Sequence, residues 1–267
     1  MAGTAGTSRD GVAQERRGAV QWISIDRPER RNAFDVGVLR GLAEAVRAAQ
    51  ASPDVRAIVL TGSGESTFCA GGDLAADGGR SPFELDPAHP RNPLIELFGE
   101  LERCALPTVA RVNGHALAGG LGLVCACDLA VAVETATLGL PETAVGLFPM
   151  MILPHLLRTL PRRQLMEWCI TGARWTAHEA LAAGILNYVV PPAELDAKLE
   201  WLLGRILDKS PTAIRMGKQG LAAMRDMTLP QALEYAQHAL PAIARSEDAR
   251  EGFAAFREGR PPRWTGR

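Results

Sequence analysis

The sequence has no charge surplus. Twenty-nine Lys and Arg stand against 30 Asp and Glu, a formal net charge of −1 over 267 residues. Chains that bind nucleic acid carry a basic excess or a basic stripe, and the lack of both argues against that class. Long apolar runs are also missing. The longest uncharged one, Ala116 to Cys127, stops at Asp128 and is rich in glycine. A bilayer span needs about 20 mostly apolar residues, so this stretch reads as buried core and no membrane partner is expected. The amino-terminal residues are small and polar, without the apolar stretch of a secretory signal. Cysteines number five, an odd count with no zinc-type pairing, which predicts reduced thiols in a cytoplasmic protein. Cys125 and Cys127, inside the apolar run, read as core packing.

Several catalytic signatures are absent as well. Gly120-Leu121-Gly122 offers two glycines of a dinucleotide fingerprint, but the third position is Cys125. Gly217-Lys218 is followed by Gln219, so there is no phosphate-binding Walker loop. Thr61 precedes Gly62-Ser63-Gly64, so the serine-hydrolase elbow fails. His89, His115, His155, His178 and His238 are scattered without metal-ligand spacing. No metal, redox nucleotide or other cofactor is expected.

What is present is an ordinary globular composition, 47% apolar and 22% charged. Residues 1–17 read as a flexible tail. Val20 to Ile25 reads as a strand, and Leu39, Leu42, Val46 and Ala49 mark a helix ended by Ser52-Pro53. Val55 to Leu60 reads as the next strand. This β-α-β succession predicts an α/β sheet core. Ala75 to Pro93 is rich in Pro and Gly and reads as a long loop, a lid or a partner contact. Strands are expected at Thr108–Val112 and Leu129–Val133. Beyond about residue 160 helical spacing dominates: Leu195, Leu199, Leu202 and Ile206, then Leu233, Ala236, Leu240 and Ile243, with Ser246 capping a last helix.

Two stretches place glycines just after an expected strand: FCAGGDL after Val55–Leu60, and NGHALAGG after Thr108–Val112. Glycine lets a ligand approach the backbone closely. Two such turns could aim N–H groups at one developing oxyanion, where each donor is worth roughly 2.7–4 kcal/mol. Either turn alone is more simply a packing device.

With these residues the chain resembles the crotonase, or enoyl-CoA hydratase/isomerase, superfamily. The landmarks run in family order from about Val20 onward: IDRPERRNAF, VRAIVLTGSGESTFCAGGDL, LPTVARVNGHALAGGLGLVCACDLAVA, LGLPETAVGLFP, ITGARWTAHEA, SPTAIRMGK and SEDAREGFAAFREGRPPRW. The resemblance implies an α/β fold, a crotonase-like spiral of β-β-α units with a C-terminal helical trimerisation region. The core would span 18–195 and the oligomerisation helices 196–267, in a homotrimer or dimer of trimers. It implies an acyl-CoA thioester substrate, with coenzyme A entering only as part of that substrate. The oxyanion donors would fall on Gly72 and Gly119, with Asp73 a structural acid behind the turn. The CoA moiety would lie along Arg31, Asn32 and Ala33 and along Ala70 and Leu74, with Arg27, Arg30 and Arg31 near its phosphates.

The catalytic acids depart from the hydratase pattern. Hydratases of the family hold water between two glutamates. Here the first position is Gly122 and the second is Glu142. One acid beside an oxyanion hole suits proton transfer between carbons, as in the family's Δ3,Δ2-enoyl-CoA isomerases. Syn-hydration of a 2-enoyl-CoA is the alternative, needing a second group; a crotonase-fold acyl-CoA binder without chemistry is the third reading. Met150 and Met151 stand near where other branches carry an aspartate, and Met150 is a candidate for lining the acyl pocket.

Overall fold

The computed structural model describes residues 4–74, 87 and 90–267. A hairpin opens the chain: β1 (Thr4–Arg9) and β2 (Val12–Arg17) pair antiparallel, and β2 pairs with β3 (Val20–Ile25). The flexible tail expected over residues 1–17 is therefore replaced by two strands from Thr4 onward. The signal lay in Asp10-Gly11, whose φ angles of 52° and 74° are both positive, as a two-residue type I′ hairpin turn requires.

From β3 the chain crosses through α1 (Val36–Ala51) to β4 (Ala57–Gly62), parallel to β3. Asp35 caps α1 by accepting from the Val38 N–H at 3.0 Å, and Leu39, Leu42 and Val46 on its inner face are buried. Then follow β5 (Thr67–Cys69), α2 (Pro93–Glu102), β6 (Thr108–Val112), β7 (His115–Leu117), α3 (Gly119–Ala126), β8 (Leu129–Val133) and β9 (Thr137–Gly139). After these come α4 (Leu153–Thr159), α5 (Arg162–Thr171), β10 (Arg174–Thr176), α6 (Ala177–Ala182) and β11 (Tyr188–Val190). Four helices finish the chain: α7 (Leu195–Leu207), α8 (Pro211–Met224), α9 (Leu229–Ala244) and α10 (Glu247–Glu258). No helix among the described residues is long and apolar enough to cross a membrane.

Two sheets form. The larger has the order β1-β2-β3-β4-β6-β8-β11, parallel from β3 onward, and the smaller β10-β9-β7-β5. The three-residue strands β5 and β7 are too short to show an alternating pattern. They separate each glycine turn from the longer strand that sequence reading placed directly before it. α7 buries Leu195, Leu199, Leu202 and Leu203 in the same core as the sheets, although the expected boundary at 195/196 sets it with the C-terminal helices. Helical spacing shows that a face is apolar but not which surface it meets. Most of the stretch read as a lid, residues 75–86 and 88–89, lies outside the described residues.

Candidate active site

The two glycine turns meet because the small sheet brings β5 and β7 side by side. Gly71, at φ +96°, sits so close that a Cβ on it would lie 2.8 Å from the Ala118 Cβ and 3.2 Å from the Gly119 nitrogen. Only glycine fits that position without strain. Phe34 holds the first turn from the side: its N–H donates to Gly71 O at 2.9 Å, and its own C=O accepts from the Asp73 N–H at 2.9 Å. In this parallel bridge Gly72 faces Phe34, and the bonds run through its two neighbours, so the Gly72 N–H is turned away from Phe34. The second turn ends at Ala118, with the rare non-glycine φ of 50°, and Gly119 begins α3. A first helical residue has no intrahelical acceptor for its N–H, and that end of the helix carries positive potential.

The Ala118 N–H donates to Gly139 O at 2.9 Å, tying the start of α3 to the end of β9. Three residues beyond Gly139, Glu142 sits in the short 3₁₀ turn Pro141–Val145. Its Oε2 is buried without a hydrogen-bond partner. Burial raises the carboxyl's pKa above the ordinary value, partly opposed by a hydrogen bond from its own backbone N–H. A carboxylate in this condition is a proton acceptor that water does not compete for.

Gly72, Gly119 and Glu142 line one cavity of about 260 Å³. Its other walls are apolar: Phe34, Leu94 and Ile152 deep inside, Leu147, Phe148 and Met150 towards solvent. Among the described lining residues Glu142 is the one ionisable side chain. Met150, the candidate for lining an acyl pocket, stands in the wall of this cavity. Phe34, Leu94, Leu147, Phe148 and Ile152 were not foreseen, since each looks like ordinary core or loop in a linear reading.

The other predicted positions divide. Asp73 is buried, with Arg27 Nη2 at 3.1 Å from its Oδ2. Arg27 also reaches Asp35 Oδ2 at 3.2 Å and Ala33 O at 2.9 Å, so its guanidinium is committed inside the protein and not presented to a phosphate. Asn32 is fully buried. Its amide donates to Thr67 O at 2.7 Å and Ser63 O at 2.9 Å and accepts from the Arg27 N–H at 3.1 Å. That side chain pins a loop, with both amide N–H groups already donated and no surface exposed to a ligand. Arg31, Ala33, Ala70 and Leu74 lie beside the cavity rather than in its wall. The Ala70 N–H donates to Arg31 O at 3.1 Å, while Arg30, Arg31 and Leu74 are exposed. Gly122 is sealed under the cavity: a Cβ there would collide with the Ile152 side chain and stand 3.1 Å from Phe98 Cζ.

A sequence model described as enoyl-CoA hydratase/isomerase matches residues 15–267. Carnitinyl-CoA dehydratase of Salmonella typhi is 35% identical over 262 residues, covering 94% of this chain and 97% of its own. YngF of Bacillus subtilis, provisionally named an enoyl-CoA hydratase/isomerase, is 35% identical over 243 residues, 89% of this chain and 91% of its own. The crystal structure of an enoyl-CoA hydratase from Mycobacterium smegmatis superposes with a TM-score of 0.88 at 31% identity, covering 95% of this chain and 98% of that one. Matched along nearly its whole length in both sequence and fold, the chain belongs to the enoyl-CoA hydratase/isomerase family of enzymes.

Proposed function

We propose that this protein isomerises the double bond of a 3-enoyl-CoA to the 2-enoyl-CoA, with Glu142 as the proton carrier. The thioester oxygen accepts from the Gly72 and Gly119 N–H groups. Glu142 takes a proton from C2, and the C–H electron pair forms the C1–C2 double bond of a dienolate as the carbonyl π pair moves onto the thioester oxygen. The same proton then returns at C4, where the C3–C4 double bond is lost, the C2–C3 double bond forms and the carbonyl is restored. Atoms balance without water or any other reactant. Charge develops on the thioester oxygen, where each fixed donor lowers the barrier by roughly 2.7–4 kcal/mol. The exposed ledge of Arg30, Arg31 and Leu74 beside Gly72 is where the CoA portion would run, with Arg30 and Arg31 as the cations available to its phosphates.

The observation that carries this reading is the state of Gly122. Where a second carboxylate would help to hold water, the space is filled by Ile152 and Phe98, and Glu142 alone among the described lining residues can move a proton. The exposed apolar residues of α9, Leu229, Leu233 and Leu240, support a homo-oligomer built through the C-terminal helices. All five cysteines are unpaired, in keeping with a reducing, cytoplasmic setting. The deciding experiment offers the purified protein a 3-enoyl-CoA and a 2-enoyl-CoA in parallel. Conversion of the first to a 2-enoyl product without water uptake supports the proposal. Formation of 3-hydroxyacyl-CoA from the second overturns it in favour of a hydratase. Inertness towards both, with tight thioester binding, would leave a binding protein.

A further inference from the structure

Three helical segments run between this cavity and a second one, and two of them place residues in three successive layers. Along α2, Leu94 lines the acyl-side cavity, Phe98 lies a turn further on, and Leu101 lines a second cavity. Along α3 the corresponding residues are Gly119, Gly122 and Cys125. At the start of α4, Ile152 lines the first cavity and His155 the second. The middle layer is therefore the Phe98 ring, the bare Gly122 backbone and the Ile152 side chain. Ile152 and Phe98 are 2% and 4% exposed, and both fill the space that a side chain at 122 would need. Phe98 is backed in turn by His155, with ring centroids 4.6 Å apart. The second cavity measures about 240 Å³ and is lined in part by charged residues, among them the Lys218–Asp128 pair.

We propose that Ile152, braced by Phe98, is the floor that limits the acyl chain of the substrate to a short one, and that the cavity behind it is space the native enzyme denies to the chain. The inference rests on the acyl-CoA reading above and adds the substrate class. Two observations support it. The open cavity, at about 260 Å³, falls below the roughly 300–1,000 Å³ usual for drug-sized ligands. The floor is also backed by the Phe98 ring, itself packed against His155, so a longer chain could enter only by displacing these side chains, which packed cores resist.

The test compares the wild type with Ile152→Ala and Ile152→Val, using calorimetric binding of butyryl-, hexanoyl-, octanoyl- and decanoyl-CoA. Turnover of the matching 3-enoyl-CoAs is measured alongside. In the wild type, affinity should fall by roughly tenfold or more once the chain outgrows the floor. In Ile152→Ala the gain of about fourfold per added methylene should extend to longer chains, and the turnover optimum should move with it. Ile152→Val should shift the profile less in the same direction, and it decides the matter if the alanine variant does not fold. A wild type that binds decanoyl-CoA as tightly as hexanoyl-CoA overturns the proposal. So do folded variants that keep the wild-type length profile. Failure to bind any of the four thioesters would instead remove the acyl-CoA reading on which it stands.

Discussion

Arg27 Nη2 lies 3.1 Å from Asp73 Oδ2, directly behind the turn that presents the Gly72 N–H. The same guanidinium reaches Asp35, the residue capping α1. One side chain thus couples the orientation of a candidate oxyanion donor to the entry of the first long helix. Asp73 is 6% exposed and Arg27 18%, so the pair is shielded enough to matter and Arg27 is still partly solvated.

Arg27→Ala should therefore destabilise the fold by about 2–3 kcal/mol, below the ~3–5 kcal/mol of a fully buried pair broken on one side. Arg27→Lys should recover little, because a single ammonium cannot serve two carboxylates and the Ala33 carbonyl in the geometry of a guanidinium fork. Urea unfolding measures the loss. Turnover should fall more than thioester affinity, since a displaced Gly72 N–H weakens the stabilisation of developing charge. Equal losses in both would show that the pair only holds the loop.

Glu142→Gln separates chemistry from binding. Removing the proton acceptor should lower turnover by at least about 10²-fold, the low end of general acid–base contributions, with thioester affinity nearly unchanged. Its stability profile has a definite sign. Burial raises the Glu142 pKa in the folded protein, so the folded state holds the proton more tightly than the unfolded chain. Stability then declines as pH rises from the ordinary glutamate value through the raised one. The glutamine variant escapes this, and should be more stable than the wild type above that window and equal to it below. The acid limb of kcat/KM in the wild type should lie above the ordinary carboxylate range. Thermal melts across pH that run parallel for both proteins would contradict the assignment of a desolvated carboxylate.

The parts legible in the sequence were those fixed by local chemistry. Thr108–Val112 and Leu129–Val133 form strands over those same residues, and Ser246 caps α10 by accepting from the Ala249 N–H. Gly72, Gly119, Glu142 and Met150 share one cavity. What could not be read was decided by contacts between distant residues. Asn32 has the composition of a ligand-binding loop residue, but its partners Ser63 and Thr67 lie about 30 positions away, so only the folded chain shows both its amide N–H groups to be spent on backbone. Arg27 among three arginines looks like a phosphate site until Asp73 is brought beside it. The hairpin Thr4–Arg17 was missed for a different reason. Its strands are polar in sequence, without an alternating apolar pattern, and its Asp10-Gly11 turn was outweighed by composition.

Gly122→Ala should cost about 1–3 kcal/mol, the usual range for forcing atoms into a packed core, because its new methyl meets Ile152 and Phe98. Pairing it with Ile152→Ala should return part of that stability, a non-additive result that independent sites would not give. The denaturation midpoints of the two single variants and the double variant measure the coupling. Strict additivity would mean that the 122 and 152 side chains do not compete for one space.

Asp248, 1% exposed at the start of α10, gathers the end of the chain. Its carboxylate accepts from Ser210 Oγ at 2.7 Å and from the N–H groups of Thr265 at 2.7 Å, Gly266 at 3.0 Å and Thr212 at 3.3 Å. Burial alone would raise its pKa, but the donors outweigh burial and bring it from 3.8 to about 2. A depressed acid contributes stability that is fully present above its unfolded value and is lost as pH falls through its folded one. Asp248→Asn replaces an all-acceptor group with one that must turn donors towards other donors, so it should be less stable than the wild type at neutral pH. The difference should shrink between about pH 4 and pH 2, as the wild-type carboxylate takes up its proton. Acid unfolding curves of the two proteins, followed by the fluorescence of Trp264, whose Nε1–H donates to Asp208 O at 2.8 Å beside this clamp, would show the convergence. A gap of constant size down to pH 2 would mean that the clamp works through shape rather than charge.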